Sequence, residues 1–473
     1  MARRGPHAWR FAAVWLVLFA AYAATLGLDA FPGTEYAGDE PHYLLAAHSI
    51  VHDGDLDVAD EYRASAYRAF YPFALDQHGV PRGGRLHEPH GAGFPALIAP
   101  AYALAGARAV ELFLAALAAL GGALAYLLAR RVVADRWALL AVFAVGLSPP
   151  FLAYGTAVYP ELTAGAALAG AALLALRLAE RPSRSAALGC AALLATLPWL
   201  GTKFAPAGLV VGVFAVRAAR AGGRRTVAVA GVQVVAVSAI AYVLLNQAVY
   251  GGPTPYAADI EGESATDASF PLGYVERGYR LAALFVDRDF GLVRWAPVFL
   301  LALVGAWLAY RASSRNGKVR GTAAATDPCV RRTLLLCGAA ALAQLLVAAF
   351  LAPTMFGFWF PGRHLLAGLP LAVPLVAFGL ARIPRTGVAL AVIGVAGSVW
   401  VWLDVRLGGA ALAIDRPDAP WGPLDVVFPF YGDSALPYAL TGGAVAALLA
   451  MLLIGLGRPT QRARKAGLSP GGT

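Results

Sequence analysis

Residues Tyr36–His52 read YAGDEPHYLLAAHSIVH, and this stretch decides how the rest of the chain is organised. Apolar positions recur three and four apart after Glu40, which predicts a helix with Asp39 as its N-cap and Pro41 in the first turn. Asp53-Gly54 is a stop signal for that helix. Upstream lies an apolar run, Trp9–Leu28, of the roughly 20 residues that a helix needs to cross a bilayer core. Capping accounts for Asp39 alone and leaves a second, adjacent acid, Glu40, unexplained. Ionisable groups at the edge of hydrocarbon are costly and mark function. A carboxylate in that position is suited to take a proton from a hydroxyl.

The chain has 473 residues, of which 59% are hydrophobic and only 14% charged. Soluble domains carry about 25% charged residues, so most of this chain is expected in lipid. About twelve apolar runs are read as spans. After Trp9–Leu28 come Arg108–Val133, Trp137–Leu152, Glu161–Leu178, Ala186–Leu200, Phe204–Ala219, Thr226–Val249, Ala296–Tyr310, Thr333–Leu351, Leu365–Leu380, Gly387–Leu407 and Pro437–Leu456. Phe94–Ala105 is too short to cross and is placed in the interface. Trp137–Leu152 and Ala186–Leu200 are short enough to be half-helices. The first run ends in LGLDAFPG without a small-x-small cleavage pattern, so a retained anchor is expected rather than a signal peptide.

The net charge of +10 is spread over short loops between apolar runs. A nucleic-acid footprint would concentrate it on one soluble module, so no nucleic-acid partner is expected. One set of loops holds Arg130/Arg131, Arg177/Arg181/Arg184, Arg217/Arg220/Arg224/Arg225, Arg311/Arg315/Lys318/Arg320, Arg382/Arg385 and Arg458/Arg462/Arg464/Lys465. The alternate loops hold nearly all the acids. Positive-inside bias then puts both termini in the cytoplasm of a multi-pass plasma-membrane protein. Segments 29–93, 251–295 and 408–436 become outer loops of a single transmembrane domain covering 1–473. Function must be built from those loops and the outer helix ends.

Other motifs weigh less. Cys190, Cys329 and Cys337 lack metal or redox spacing. The acidic run Asp53–Tyr62 fails the EF-hand pattern, with Val58 at the sixth position and Ala64 at the twelfth. It reads as a solvated loop. Asp-Phe-Gly at 289–291 has no kinase context and reads as part of an ion-paired turn. FGFWFPG (356–362) reads as an interfacial aromatic belt, with a sugar- or isoprenoid-contacting wall as the minority reading. His87 and His90 flank Glu88, but two histidines three apart without a third ligand are a weak metal signal. No cofactor is required on this reading, and a divalent cation has no support beyond it.

A first span followed by an outer loop that opens on Asp-Glu and a juxtamembrane helix resembles the GT-C superfamily of membrane glycosyltransferases. The nearest branch is that of protein O-mannosyltransferases and lipid A aminoarabinose transferases. HEPHGAGFPALIAPAYALAG (87–106), VYPELTAG (158–165), LPWLGTKF (197–204), LFVDRDFGLVRWAPVFLLAL (284–303) and FPGRHLLAGLPLAVPL (360–375) are similar to family segments and follow the same order. The resemblance implies an all-α bundle of about 12 transmembrane helices with juxtamembrane helices in the first outer loop. It implies transfer of a sugar from a polyprenyl-phosphate donor to a cell-envelope acceptor, lipid, glycan or protein, outside the membrane. The large luminal or C-terminal domains of some members are absent, which leaves the acceptor open.

On that resemblance Asp39 is the expected general base, with Glu40 and Glu161 beside it. Lys203, Arg363 and His364 are expected to hold the donor phosphate, Arg by bidentate contact and Lys as a point charge. His42, Tyr43, His87, His90 and Tyr159 are expected substrate contacts. The rival from another class is a transporter or flippase of a lipid-linked glycan, which would place ionisable groups at mid-membrane.

Overall fold

The computed structural model describes residues 8–258, 272–314, 327–413, 428–431 and 439. Nearly all of the expected span Pro437–Leu456, most of the expected loop 408–436, residues 259–271 of the expected loop 251–295 and the basic residues beyond Ser314 in the 311–320 loop lie outside the described residues. The described chain is built of helices: α1 (Ala8–Ala23), α2 (Glu40–His52), α3 (Gly93–Ala129), α4 (Asp135–Gly146), α5 (Glu161–Glu180), α6 (Arg184–Leu200), α7 (Ala205–Ala221), α8 (Arg225–Val249), α9 (Leu300–Ser314), α10 (Pro328–Phe350), α11 (Leu369–Leu380) and α12 (Pro384–Arg406). Six stretches are long and apolar enough to cross a membrane, and four shorter apolar helices of 10–17 residues accompany them. The chain is a multi-pass membrane protein.

Most of the expected runs fall on helices, but the expected first span Trp9–Leu28 is an α-helix only over Ala8–Ala23 and the expected span Leu365–Leu380 only over Leu369–Leu380, and the six long apolar stretches do not establish the expected count of about twelve. Two of the deviations have local causes. The run 93–129 is one helix by hydrogen bonding but breaks at Ala105 and Gly106, where Gly106 adopts φ 62° and ψ −154°. The interfacial arm and the span that follows are therefore separate rods, as the short run Phe94–Ala105 implied. Trp137–Leu152 is two pieces. Helix α4 ends at Gly146, and Ser148-Pro149-Pro150 restarts a short helix over Pro149–Tyr154 because the prolines cannot continue the ladder. The first outer loop also carries a small antiparallel hairpin, β1 (Val80–Arg82) and β2 (Arg85–His87). Its turn, Gly83-Gly84, has φ 58° and 80°, the mirror-image turn that suits a two-residue hairpin.

Helix α5 is the centre of the bundle. Every residue from Glu161 to Leu173 is buried, and most are Ala or Gly. Small side chains let neighbouring backbones approach where lipid supplies no hydrophobic drive between helices. Helices α3, α6 and α7 pack around it. Helix α8 lies at the periphery and turns Val229, Val237, Ile240 and Leu244 outward, the apolar surface expected of a helix facing lipid. The arrangement brings the start of α2, the start of α5, the turn before α7 and the 359–364 segment to one end of the bundle.

Candidate active site

Asp39 occupies the N-cap position of α2 but makes no side-chain cap. Its carboxylate is instead held by Arg363, whose Nη2 donates to Oδ2 at 2.6 Å. The same guanidinium donates from Nε to Glu161 Oε1 at 3.1 Å, and Lys203 Nζ donates to that oxygen at 2.7 Å. Two acids and two bases thus form one chain, Asp39–Arg363–Glu161–Lys203. It joins four segments that lie far apart in sequence.

Local chemistry explains the placement. Gly38 has φ +58°, and an added Cβ would lie 2.8 Å from Tyr159 Oη, so only glycine turns the backbone here. Gly362, at φ +91°, sets the turn that presents Arg363. The guanidinium lies flat on aromatic rings, with Cζ 3.9 Å from the Tyr159 centroid and 4.8 Å from that of Trp359. Cation–π contact and the two carboxylates fix a side chain that is only 5% exposed. Tyr159 is itself pinned, its Oη donating to the Ala37 carbonyl at 2.8 Å.

The network opens on a cavity of about 1270 Å³. Asp39, His90, Lys203, Arg363 and His364 line one end of it with Tyr43, Trp359 and Gln344. Beyond Lys203 the wall is Leu194, Leu197, Leu209, Val213 and Val232, and it reaches Arg217 and Arg220 at the far end of α7. A helix of the 17 residues in α7 is about 25 Å long. The cavity is therefore a deep apolar slot with a charged mouth.

The electrostatics separate the groups. Burial pushes the Asp39 carboxyl up, but Arg363 and His90 outweigh it and hold the group well below the usual carboxylate range. Burial pushes the Glu40 carboxyl up to about 7. Burial, with Lys203 and Arg363 adjacent, pushes the His364 imidazole down to about 3. His364 is therefore a neutral ring at ordinary pH, so any part in holding a phosphate falls to hydrogen bonding rather than charge. Its Nε2, like that of His90, is buried without a hydrogen-bond partner among the described residues.

Three further expectations change. Glu40 does not face the cavity: its carboxylate accepts from the Ala37 and Val158 amides at 3.2 and 2.8 Å, stitching the outer loop to the start of α5. His87 turns away and bonds the Leu56 carbonyl at 3.0 Å, because its position on β2 directs it into the outer loop. His42 is buried behind the cavity wall, its Nδ1 3.0 Å from Tyr62 Oη and 3.2 Å from Glu88 Oε1. Tyr62 in turn donates to Glu88 at 2.7 Å. Glu161 stands in the network as expected, but its Oε1 is saturated by the two cations. Tyr43 and His90 do line the cavity, with ring centroids 5.2 Å apart, whereas Tyr159 serves as the platform beneath Arg363.

Sequence reasoning missed Gln344, His78 and Tyr62. Gln344 is a polar residue inside a span, which alone marks it for attention. Its Nε2 donates to the His364 carbonyl at 3.3 Å. Trp359, read chiefly as part of a belt and in the minority reading as a sugar- or isoprenoid-contacting wall, lines the cavity. His78 stacks on His42 at 4.1 Å across a loop that no short-range pattern reveals.

A membrane bundle with an interfacial arm, and an outer loop opening on an acidic pair whose Asp39 is bound by Arg363 beside a cavity, has the GT-C type of fold. Among solved structures the chain is similar to apo ArnT from Cupriavidus metallidurans, with TM-score 0.50 and 17% identity over 84% of this chain and 72% of that one. ArnT bound to undecaprenyl phosphate gives TM-score 0.47 and 15% identity over 85% and 72%. The Archaeoglobus fulgidus oligosaccharyltransferase gives TM-score 0.45 and 12% identity over 87% of this chain and 57% of that one. The first likeness supports the fold at this identity, and the fold alone. No protein-family model and no curated protein matches the chain.

Proposed function

We propose that the chain is a glycosyltransferase that moves a sugar from a polyprenyl-phosphate donor to a cell-envelope acceptor, with Asp39 as the general base. One observation carries this reading: Asp39, Lys203 and Arg363 share the mouth of a cavity whose depth is apolar. An isoprenoid tail suits the depth and a phosphate suits the mouth. Positive-inside bias supports a mouth outside the cytoplasm, since the opposite end of the bundle carries Arg130, Arg131, Arg217 and Arg220.

Asp39 is a weak base while Arg363 holds it. An arriving donor phosphate competes for that guanidinium and for Lys203. As Arg363 turns toward the phosphate, the Asp39 carboxylate loses its partner and gains basicity beside the acceptor. The acceptor hydroxyl gives its proton to Asp39, and its oxygen attacks the anomeric carbon. The carbon–oxygen bond to phosphate breaks, and the phosphate leaves with the electron pair. Lys203 and Arg363 stabilise the developing charge, which is where binding energy most accelerates a reaction. Neutral His364 supplies a hydrogen-bond donor and adds no charge. Trp359 and Tyr43 offer faces for a sugar ring.

The test is transfer of labelled sugar in membranes carrying the wild type or Asp39→Asn. Transfer by the variant at the wild-type rate removes the proposed base. A carrier of lipid-linked glycan is the second reading, favoured by the reach of the cavity to Arg217 and Arg220. The apolar wall between Lys203 and Arg217 suits a lipid tail better than a sugar headgroup in transit. Scrambling of lipid-linked glycan in proteoliposomes without new glycosidic bonds selects the carrier.

A further inference from the structure

We propose that Asp53, Asp60 and Glu61 form a binding site for a calcium-class divalent cation that fastens the outer loop to the end of α2. Each residue offers a carboxylate oxygen, and these atoms all lie within 4.8 Å of one another. Calcium–oxygen bonds of about 2.3–2.6 Å let one ion reach all three. Asp53 caps the C-terminal end of α2, its backbone N–H bonding Ser49 O. Asp60 and Glu61 lie in the first turn of the short helix Ala59–Ala64. The cluster therefore joins two elements.

The independent observation is Glu61 itself. It is 3% exposed, and both its carboxylate oxygens are shielded from solvent without a hydrogen-bond donor. A buried carboxylate in that condition needs a proton or a cation. No basic side chain takes the role: among the described residues none lies within ion-pair distance of the three acids, and Arg63 bonds the Ala59 carbonyl instead. Asp53 adds a negative charge at a helix C-terminus, where the backbone dipole already disfavours one. All donors are hard oxygens from carboxylates at irregular spacing, which suits calcium's flexible shell better than magnesium's strict octahedron. Asp53 and Asp60 are exposed and leave the site open to ions from solution.

The site adjoins the polar relay behind the cavity. Tyr62 follows Glu61 and holds both Glu88 and His42, and His42 lies one turn from Asp39 on α2. A cation here positions Tyr62 and so the outer wall of the cavity. This is a positioning role, and ion binding stands whether or not the transferase reading holds.

The experiment uses the full chain in nanodiscs, stripped with chelator. Terbium is titrated in with tyrosine excitation, calcium or magnesium is then added in competition, and the thermal midpoint is read with and without calcium. The expected result is saturable terbium emission, displaced by calcium at concentrations at least about tenfold below magnesium, and a midpoint raised by calcium. Asp60→Asn and Glu61→Gln each lose the emission and the calcium-dependent rise. Asp60 is exposed, so its variant stays informative if Glu61→Gln misfolds. Absence of saturable emission in the wild type, or equal emission from Asp60→Asn, overturns the proposal. So does a midpoint that Glu61→Gln raises while calcium leaves the wild type unchanged, which assigns the cluster a shared proton.

Discussion

Helix α5 begins at Glu161 and ends at Glu180, and an arginine holds each glutamate. Arg363 grips Glu161 where both side chains are nearly sealed, at 5% and 1% exposure. Arg131 grips Glu180 where the glutamate is 44% exposed. The residue types are the same and the consequences differ. In water the Arg131 pair is a loop fastener of the ordinary weak kind. Under the aromatic cover of Tyr159 and Trp359, the Arg363 pair is costly to assemble and costlier to break. It also shares its cation with a second carboxylate, Asp39, whereas among the described residues Arg131 adds the neutral groups of Thr333 and Cys329. A membrane bundle tolerates such a network where it has a use.

The largest expected effect lies at Asp39. Asp39→Asn lowers kcat by about 10²–10⁴-fold, the usual contribution of a general base. Binding of the polyprenyl-phosphate lipid stays equal or tightens, because Arg363 is freed for the phosphate. Kinetics together with lipid-binding isotherms check this, and a parallel loss of lipid binding would break the contrast between base and clamp. Next comes exchange of arginine for lysine at the two ends of α5. Arg363→Lys cannot serve Asp39 and Glu161 together and costs about 1–3 kcal/mol through an unsatisfied buried acceptor. Arg131→Lys costs less than about 1 kcal/mol. Denaturation in nanodiscs measures both, and equal losses would dissolve the comparison.

Gly38→Ala comes third. A left-handed backbone and the 2.8 Å approach to Tyr159 Oη together cost about 1–2 kcal/mol. The expected readout is a lower thermal midpoint with a larger fractional loss of transfer, since the turn aims Asp39. The smallest effect is a slope. The folded Glu40 carboxyl is raised from the ordinary 4.5 to about 7. Its contribution to stability is therefore fully present below pH 4.5, declines as pH rises through about 7 and is lost above it. Glu40→Gln is expected to flatten stability across that window. Midpoints measured between pH 4 and 8 check it, and an unchanged slope assigns the pH dependence to another group.

Much of the architecture was legible because lipid leaves few alternatives. Span lengths, the break after Phe94–Ala105 and the fragile Trp137–Leu152 follow from hydropathy and from Gly and Pro. The hairpin at 80–87 was not, since three-residue strands carry no periodicity to read. At the site, Asp39, Glu161, Lys203 and Arg363 were singled out separately, as isolated charges where apolar runs meet water. Their union depends on pairings between residues 324, 202 and 42 positions apart, which sequence spacing does not encode. Glu40 was misjudged because adjacency in sequence says nothing of direction: successive residues at a helix start point about 100° apart. His87 was misjudged because the strand that carries it was invisible.

The interruption at Gly106 bears on how the protein sits in bilayers of unequal thickness. A continuous rod from Gly93 to Ala129 would have to tilt as a whole, carrying the cavity rim with it. Jointed at one glycine, the arm stays level with the headgroups while the lower portion leans to match the acyl layer. Depth of anchoring and angle of crossing thereby belong to two separate rods of the chain.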